Sequence, residues 1–348
     1  MRVILRPGAM SLALLLAVGS ERTIEAAEES SSLRTEWGHP DLQGVWNFSS
    51  EIPLQRPERY GEREFLTREE IQEVQTRMAE RAAEAETAPD PDAANRGAPS
   101  TDERFVFGYD MFWYEMASIG DTVRTSQVVY PPNGRFPPLI PDAPVQSGGL
   151  GDDVPGERPV RYGVGGISKD GPEDRGLSER CIVGFNSGPP FSPSRYNNNV
   201  QIVQNRDHVV ILTEMIHDAR VVPLDGSPHI DDDIRLWTGD SRGRWEGDTL
   251  VVETRNFTDL VTSFGSYGTA YDKILTERFT RVDYDSLNYE WTLEDASTFT
   301  DRISAVIPMG KVAGQLYEYA CHEGNYGMVN ILRGARMQEV RTEETGAR

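Results

Sequence analysis

Between about residue 196 and residue 321, hydrophobic and polar positions alternate in short runs, and a turn signal follows each run. Alternation with a period of two puts successive side chains on opposite faces of an extended strand. Residues 200–204 and 208–215 flank Asn205-Arg206-Asp207, a connection of hairpin length. A third strand is expected over 219–224, ending at Asp225-Gly226. Residues 242–246 and 249–257 form the clearest hairpin, because Gly247-Asp248 places glycine first, as a type II′ turn requires. Residues 276–282 pair with 287–293 across Asp283-Tyr284-Asp285-Ser286, and runs at 302–308 and 316–321 complete the set. Sequential hairpins with no crossover helix predict a mainly β protein built as an antiparallel meander. With roughly eight or nine strands, closure into a calycin- or lipocalin-like barrel removes exposed edges and leaves room for a ligand; an open sandwich is the competing arrangement.

The residues before this region lack that regularity. Pro40-Asp41-Leu42-Gln43-Gly44-Val45-Trp46 reads as a turn into one short strand. One long helix is expected over 67–86, where Thr67 and Glu70 make a capping box and Ile71, Val74 and Met78 recur at helical spacing. Its apolar stripe is thin, so the helix belongs on a surface. Proline and glycine dominate 88–102 and 137–176, which read as loops. The chain therefore divides into 1–27, a loop-rich wrap over 28–195, a barrel over 196–333 and a flexible tail over 334–348.

The first of these segments has the form of an export signal. Arg2 and Arg6 precede an apolar run over 9–18, with small residues at Gly19, Ser20, Ala26 and Ala27. That run is too short to span a bilayer, and cleavage is expected between Ser20 and Ala27. A periplasmic or secreted location follows, and no membrane insertion is expected. Two cysteines, Cys181 and Cys321, suit an oxidising compartment, where they are expected to form a disulfide; a nucleophilic cysteine beside His322 is the weaker alternative. A net charge of −21 argues against nucleic acid as a partner, since that requires a basic stripe.

Several phrases, among them Pro40-Asp41-Leu42-Gln43-Gly44-Val45-Trp46, Tyr196-Asn197-Asn198-Asn199 and His217-Asp218-Ala219-Arg220, recur in recognisable form elsewhere. So do Gly239-Asp240-Ser241-Arg242-Gly243-Arg244-Trp245-Glu246-Gly247-Asp248-Thr249-Leu250 and Tyr317-Glu318-Tyr319-Ala320-Cys321-His322-Glu323. Together they resemble an uncharacterised family of exported proteins from Gram-negative bacteria. The resemblance implies export and one shared fold, and it implies no activity.

Candidate chemistry must come from the residues. Glu214, His217, Asp218 and Arg220 stand where one strand ends and the next begins, and His217 with a carboxylate suits acid–base work near neutral pH. His322 and Glu323, with Tyr319, lie on the expected last strand, which in a closed barrel neighbours the early ones. Asp240, Arg242 and Arg244 form a third group, flanked by glycines and suited to clamping a carboxylate or to anchoring a turn. Glu277 shares a strand face with Phe279, and Trp291 alternates on the adjacent strand, so both are candidates to line a pocket. The histidines have no metal-ligand spacing, so neither a metal nor another cofactor is expected. Gly239-Asp240-Ser241-Arg242-Gly243 matches a nucleophile-elbow string, but no helix pattern follows the serine.

These readings lead first to an exported, cofactor-independent enzyme (a lyase, isomerase or hydrolase) acting on a small, partly apolar organic molecule inside a barrel. The alternative is a periplasmic carrier that binds without catalysis. A third, an interaction module, draws on the aromatic run over 105–114.

Overall fold

The computed structural model of the chain describes residues 33–86, 115, 122–145 and 169–346. The expected signal at 1–27, the loop at 88–102 and the aromatic run at 105–114 lie outside these residues. The described residues fall into two units divided after Asp41. In the first, Asp41 N donates to Leu33 O at 2.8 Å and Arg34 bridges Pro40, which closes a small turn.

The second unit is dominated by antiparallel strands. They are β1 (Gly44–Asn47), β2 (Val128–Tyr130), β3 (Asn199–Gln204), β4 (His208–Thr213), β5 (Ala219–Pro223), β6 (Asp240–Glu246), β7 (Thr249–Arg255), β8 (Ile274–Arg281), β9 (Ser286–Glu294) and β10 (Ile303–Val312). The helices are α1 (Arg68–Glu86) and α2 (Tyr326–Thr345). Hydrogen-bonded neighbours run β5-β4-β3-β1-β10-β9-β8-β7-β6 in one ten-stranded sheet, with β2 also on β10. Two meanders, β3 to β5 and β6 to β10, are thus joined through β1, which lies between β3 and β10. The two edge strands, β5 and β6, face each other. A Cβ on Gly243 of β6 would stand 2.8 Å from Val222 Cγ1 and 2.6 Å from Leu224 Cδ2. This contact nearly closes the sheet into a barrel, and only a residue without a side chain fits there.

Alternation within the strands decides what faces inward. On β8, Leu275, Glu277 and Phe279 are fully buried while their neighbours are partly exposed. Tyr289, Trp291 and Leu293 do the same on β9, and Val200, Ile202, Val209 and Ile211 on β3 and β4. All of these side chains except Glu277 join one apolar cluster with Trp46, Phe48 and Phe191. Burying such side chains contributes about 1.5–3 kcal/mol each before chain entropy is counted.

The capping box of α1 forms as its sequence implies. Thr67 N donates to Glu70 Oε2 at 2.8 Å and Glu70 N to Thr67 Oγ1 at 3.3 Å. Arg63 adds a forked ion pair, which, with the bond from Thr67 N, lowers the Glu70 carboxyl to about 2.

Two expectations about the C-terminal region fail. Residues 316–321 form no strand, because alternation shows only that one face is apolar, whereas a strand also needs an open edge. β10 is already paired to β9 on one side and to β1 and β2 on the other. Nor is 334–348 a tail through most of its length, since α2 runs across it to Thr345. Asn325 caps that helix by accepting from Met328 N at 3.2 Å. Asn325 Nδ2 also donates to Glu179 O at 2.7 Å, and Arg336 donates to Lys169 O and Asp170 O at 3.0 and 2.9 Å. The helix is held by its cap and by these docking bonds, which no local periodicity announces. Between β10 and α2, Cys321 is disulfide-bonded to Cys181, 140 residues earlier.

Candidate functional site

Arg220 and Glu277 come from strands that are not paired in the sheet and meet inside the barrel. Arg220 follows the β4–β5 turn on β5, while Glu277 sits at the middle of β8, and both point inward by strand alternation. Nη1 donates to Oε2 at 2.5 Å and Nη2 to Oε1 at 3.0 Å, a two-pronged ion pair with side-chain exposures of 4% and 0%. Tyr289 donates its hydroxyl to Glu277 Oε1 at 2.7 Å and accepts from Phe191 N at 3.2 Å. Burial disfavours charge on Arg220, but Glu277 outweighs it and holds the guanidinium above its ordinary value. Burial first, and then the negative charge of Glu277, push the Tyr289 phenol well up. Trp291 lies directly across from Glu277 in the β8–β9 register. Its indole Nε1, buried, has no hydrogen-bond acceptor, and neither has Arg220 Nε.

A second group lies where β1 and β4 end and β3 begins. Asn47 and Asn199 are register partners, and Asn199 Nδ2 donates to Glu214 Oε2 at 2.9 Å. Over them sits Glu115, which accepts from Asn47 Nδ2 at 2.8 Å and from Asn198 N and Nδ2 at 3.0 and 2.8 Å. Half-burial raises the Glu214 carboxyl, opposed by the Asn199 bond and reinforced by Glu115. The turn after Glu214 carries Ile216 at φ 64°. A β-branched residue is rarely found in the left-handed region, and strain of this kind clusters at functional turns. His217 closes the one-turn helix Met215–His217, and its side chain lies outside the described residues. Asp218, next in line, is partly buried, and its carbonyl accepts from Thr213 N at 2.9 Å.

The third group behaves as a latch. Asp240 Oδ2 meets His229 Nδ1 at 2.7 Å, Oδ1 accepts from Arg242 Nη1 at 2.8 Å, and His229 Nε2 reaches Glu253 Oε1 at 3.3 Å. Asn256, in the left-handed region at φ 58°, donates to Ile230 O, Asp231 O and Ile234 O. Together they pin the segment between β5 and β6 to the outside of the sheet. Arg244 joins no clamp: it pairs with Glu246, which also takes Arg278, along an exposed ladder. Ser241 is buried in mid-strand, bonded to Thr254 Oγ1 at 2.9 Å, so the elbow string is a strand.

The structure thus brings Arg220, Glu277 and Trp291 together inside the barrel and sets Glu214 and Asp218 at its end. Tyr319, His322 and Glu323 are exposed on the segment that follows β10. Sequence reading passed over Glu115, Asn199 and His229 as site residues. Only Asn199, within the Asn197-Asn198-Asn199 run, carries a local signal; the other two acquire partners from distant segments. Among the described residues, no group of three or more His, Cys, Asp or Glu side chains is arranged to hold a metal ion. No described helix is long and apolar enough to cross a membrane.

Fold and interior cluster together define a nearly closed antiparallel β-barrel with a polar group inside, an architecture compatible with small-ligand binding. The chain matches no protein-family model and no curated protein sequence.

Proposed function

We propose that the protein is an exported barrel that binds a small, partly apolar organic molecule beside Arg220, Glu277, Tyr289 and Trp291. The observation that carries this reading is a charged, hydrogen-bonded cluster set among predominantly apolar buried side chains. Stability alone does not call for it, because well-packed hydrophobic residues in place of a buried ion pair are often neutral or stabilising. Export rests on the basic and apolar N-terminal segment and on the resemblance to an exported family; the disulfide is consistent with an extracytoplasmic location. Native mass spectrometry of the protein taken from its own periplasm tests the reading. A co-purifying small molecule is expected, released by Glu277→Gln; protein that carries nothing and takes up nothing from a host extract rules the reading out.

Catalysis by proton transfer is the second reading. Supporting it are the raised Glu214 carboxyl and the left-handed Ile216 in the turn that leads to His217 and Asp218. Acid–base groups work best with pKa values moved toward the working pH. Comparing extract metabolites after incubation with wild type, Glu214→Gln and His217→Ala tests it. A product formed by wild type and lost in both variants is expected, and identical profiles refute it.

A further inference from the structure

The cluster around Glu277 has engaged its acceptors and left two donors without partners. Both Glu277 oxygens are engaged, Oε1 twice, and the Tyr289 hydroxyl both donates and accepts. Trp291 Nε1 and Arg220 Nε remain without acceptors in side chains only 1% and 4% exposed. The charges of this cluster, by contrast, are matched, one guanidinium against one carboxylate. An anionic ligand placed there would add a buried charge with no counterpart, which is strongly unfavourable. Aromatic rings supply the surroundings: Phe264 lies tilted against Trp291 at 5.1 Å, and Phe279 and Phe191 each lie 5.0 Å from Tyr289. Beside Trp291, its register partner on β10 is only Ala305.

We propose that the interior beside Glu277 takes a neutral, largely apolar molecule with a carbonyl or ether oxygen, which accepts the Trp291 Nε1 proton. Arg220 Nε is the second donor in the cluster. This inference rests on the interior-binding reading and narrows its ligand. Charge pairing selects against carboxylates, the unpartnered donors select against pure hydrocarbons, and the rings favour a flat apolar body.

Three probes of similar size separate these demands in calorimetric titrations of the full chain: acetophenone, benzoate and ethylbenzene. Acetophenone is expected to bind at least about tenfold more tightly than either of the others, the worth of one well-made buried hydrogen bond. Trp291→Phe keeps an aromatic ring without the N–H, and should bring acetophenone down to the affinity of ethylbenzene while leaving ethylbenzene little changed. Ala305→Leu, which fills the position beside Trp291, should abolish binding of both and gives a second reading should Trp291→Phe not fold. Equal binding of acetophenone and ethylbenzene, or tighter binding of benzoate, overturns the ligand class while interior binding stands. An acetophenone preference that survives both substitutions also overturns it, since the oxygen then sits elsewhere. Failure of all three probes to bind overturns the inference, while the interior-binding reading is decided by the native mass spectrometry.

Discussion

Glu277 is a carboxylate whose neighbours in sequence give no hint of how completely it is enclosed. Sharing a strand face with Leu275 and Phe279 makes it a candidate for the inward face, but its partner, Arg220, is 57 residues away and arrives only when the sheet curls. Removing one member of a buried pair leaves the other uncompensated, so Glu277→Gln should cost about 3–5 kcal/mol in urea unfolding. The double change Arg220→Met with Glu277→Leu should cost much less, because no charge is left stranded. Equal losses in the two proteins would contradict the pairing. Glu214 makes a different prediction. Its folded carboxyl is raised above the ordinary 4.5, so the folded chain holds the proton more tightly than the unfolded chain does. Its contribution to stability is therefore complete below pH 4.5 and declines as pH rises through the folded value. In Glu214→Gln that part of the decline should vanish from stability measured between about pH 4 and pH 8. Neither the burial nor the charge of Glu115 that raises Glu214 is visible in the local sequence, because Glu115 precedes Glu214 by almost a hundred positions and lies outside any strand.

Strands and their turns were the most legible elements. The Gly247-Asp248 hairpin appears with Gly247 at φ 61°, and Glu246 pairs with Thr249 as a two-residue loop demands. Period-two alternation marked β3, β4, β5, β8, β9 and β10, where one face of each strand is buried, whereas β6 and β7 were marked by the turn between them. The same signal misled at 316–321, where alternation exists without an edge to pair with. The Thr67-Glu70 capping box of α1 was legible because it is wholly local; Thr67→Ala should lower helix stability by about 1 kcal/mol, read from exchange protection of the first turn. Gly243 is the opposite case. Nothing around it distinguishes it from a turn glycine, yet its missing side chain is where β5 lies against β6. Gly243→Ala should destabilise by about 1–3 kcal/mol through overpacking of Val222 and Leu224, seen as a lower unfolding midpoint. An unchanged midpoint would mean that the two edge strands separate freely.

At the scale of the whole molecule, the disulfide ties the segment before β3 to the segment after β10 across 140 residues. By loss of unfolded-chain entropy such a bridge is worth roughly 5 kcal/mol, and engineered or removed bridges commonly show about 2–5. Cys181→Ser with Cys321→Ser should therefore lower stability by that amount and speed hydrogen exchange in α2, whose N-terminal cap sits beside Cys181. Unaltered exchange in α2 would show that Asn325 and Arg336 hold the helix alone. Composition, the β3–β4, β6–β7 and β8–β9 hairpins and the sharing of one strand face by Glu277 and Phe279 were determined by the sequence alone, since each depends on side chains within a few residues of one another. Tertiary structure decided the insertion of β1 between β3 and β10, the β5–β6 seam and the meeting of Arg220 with Glu277. These depend on which strand edges remain open after the local hairpins have formed, a property of the assembled sheet that no short window of sequence contains.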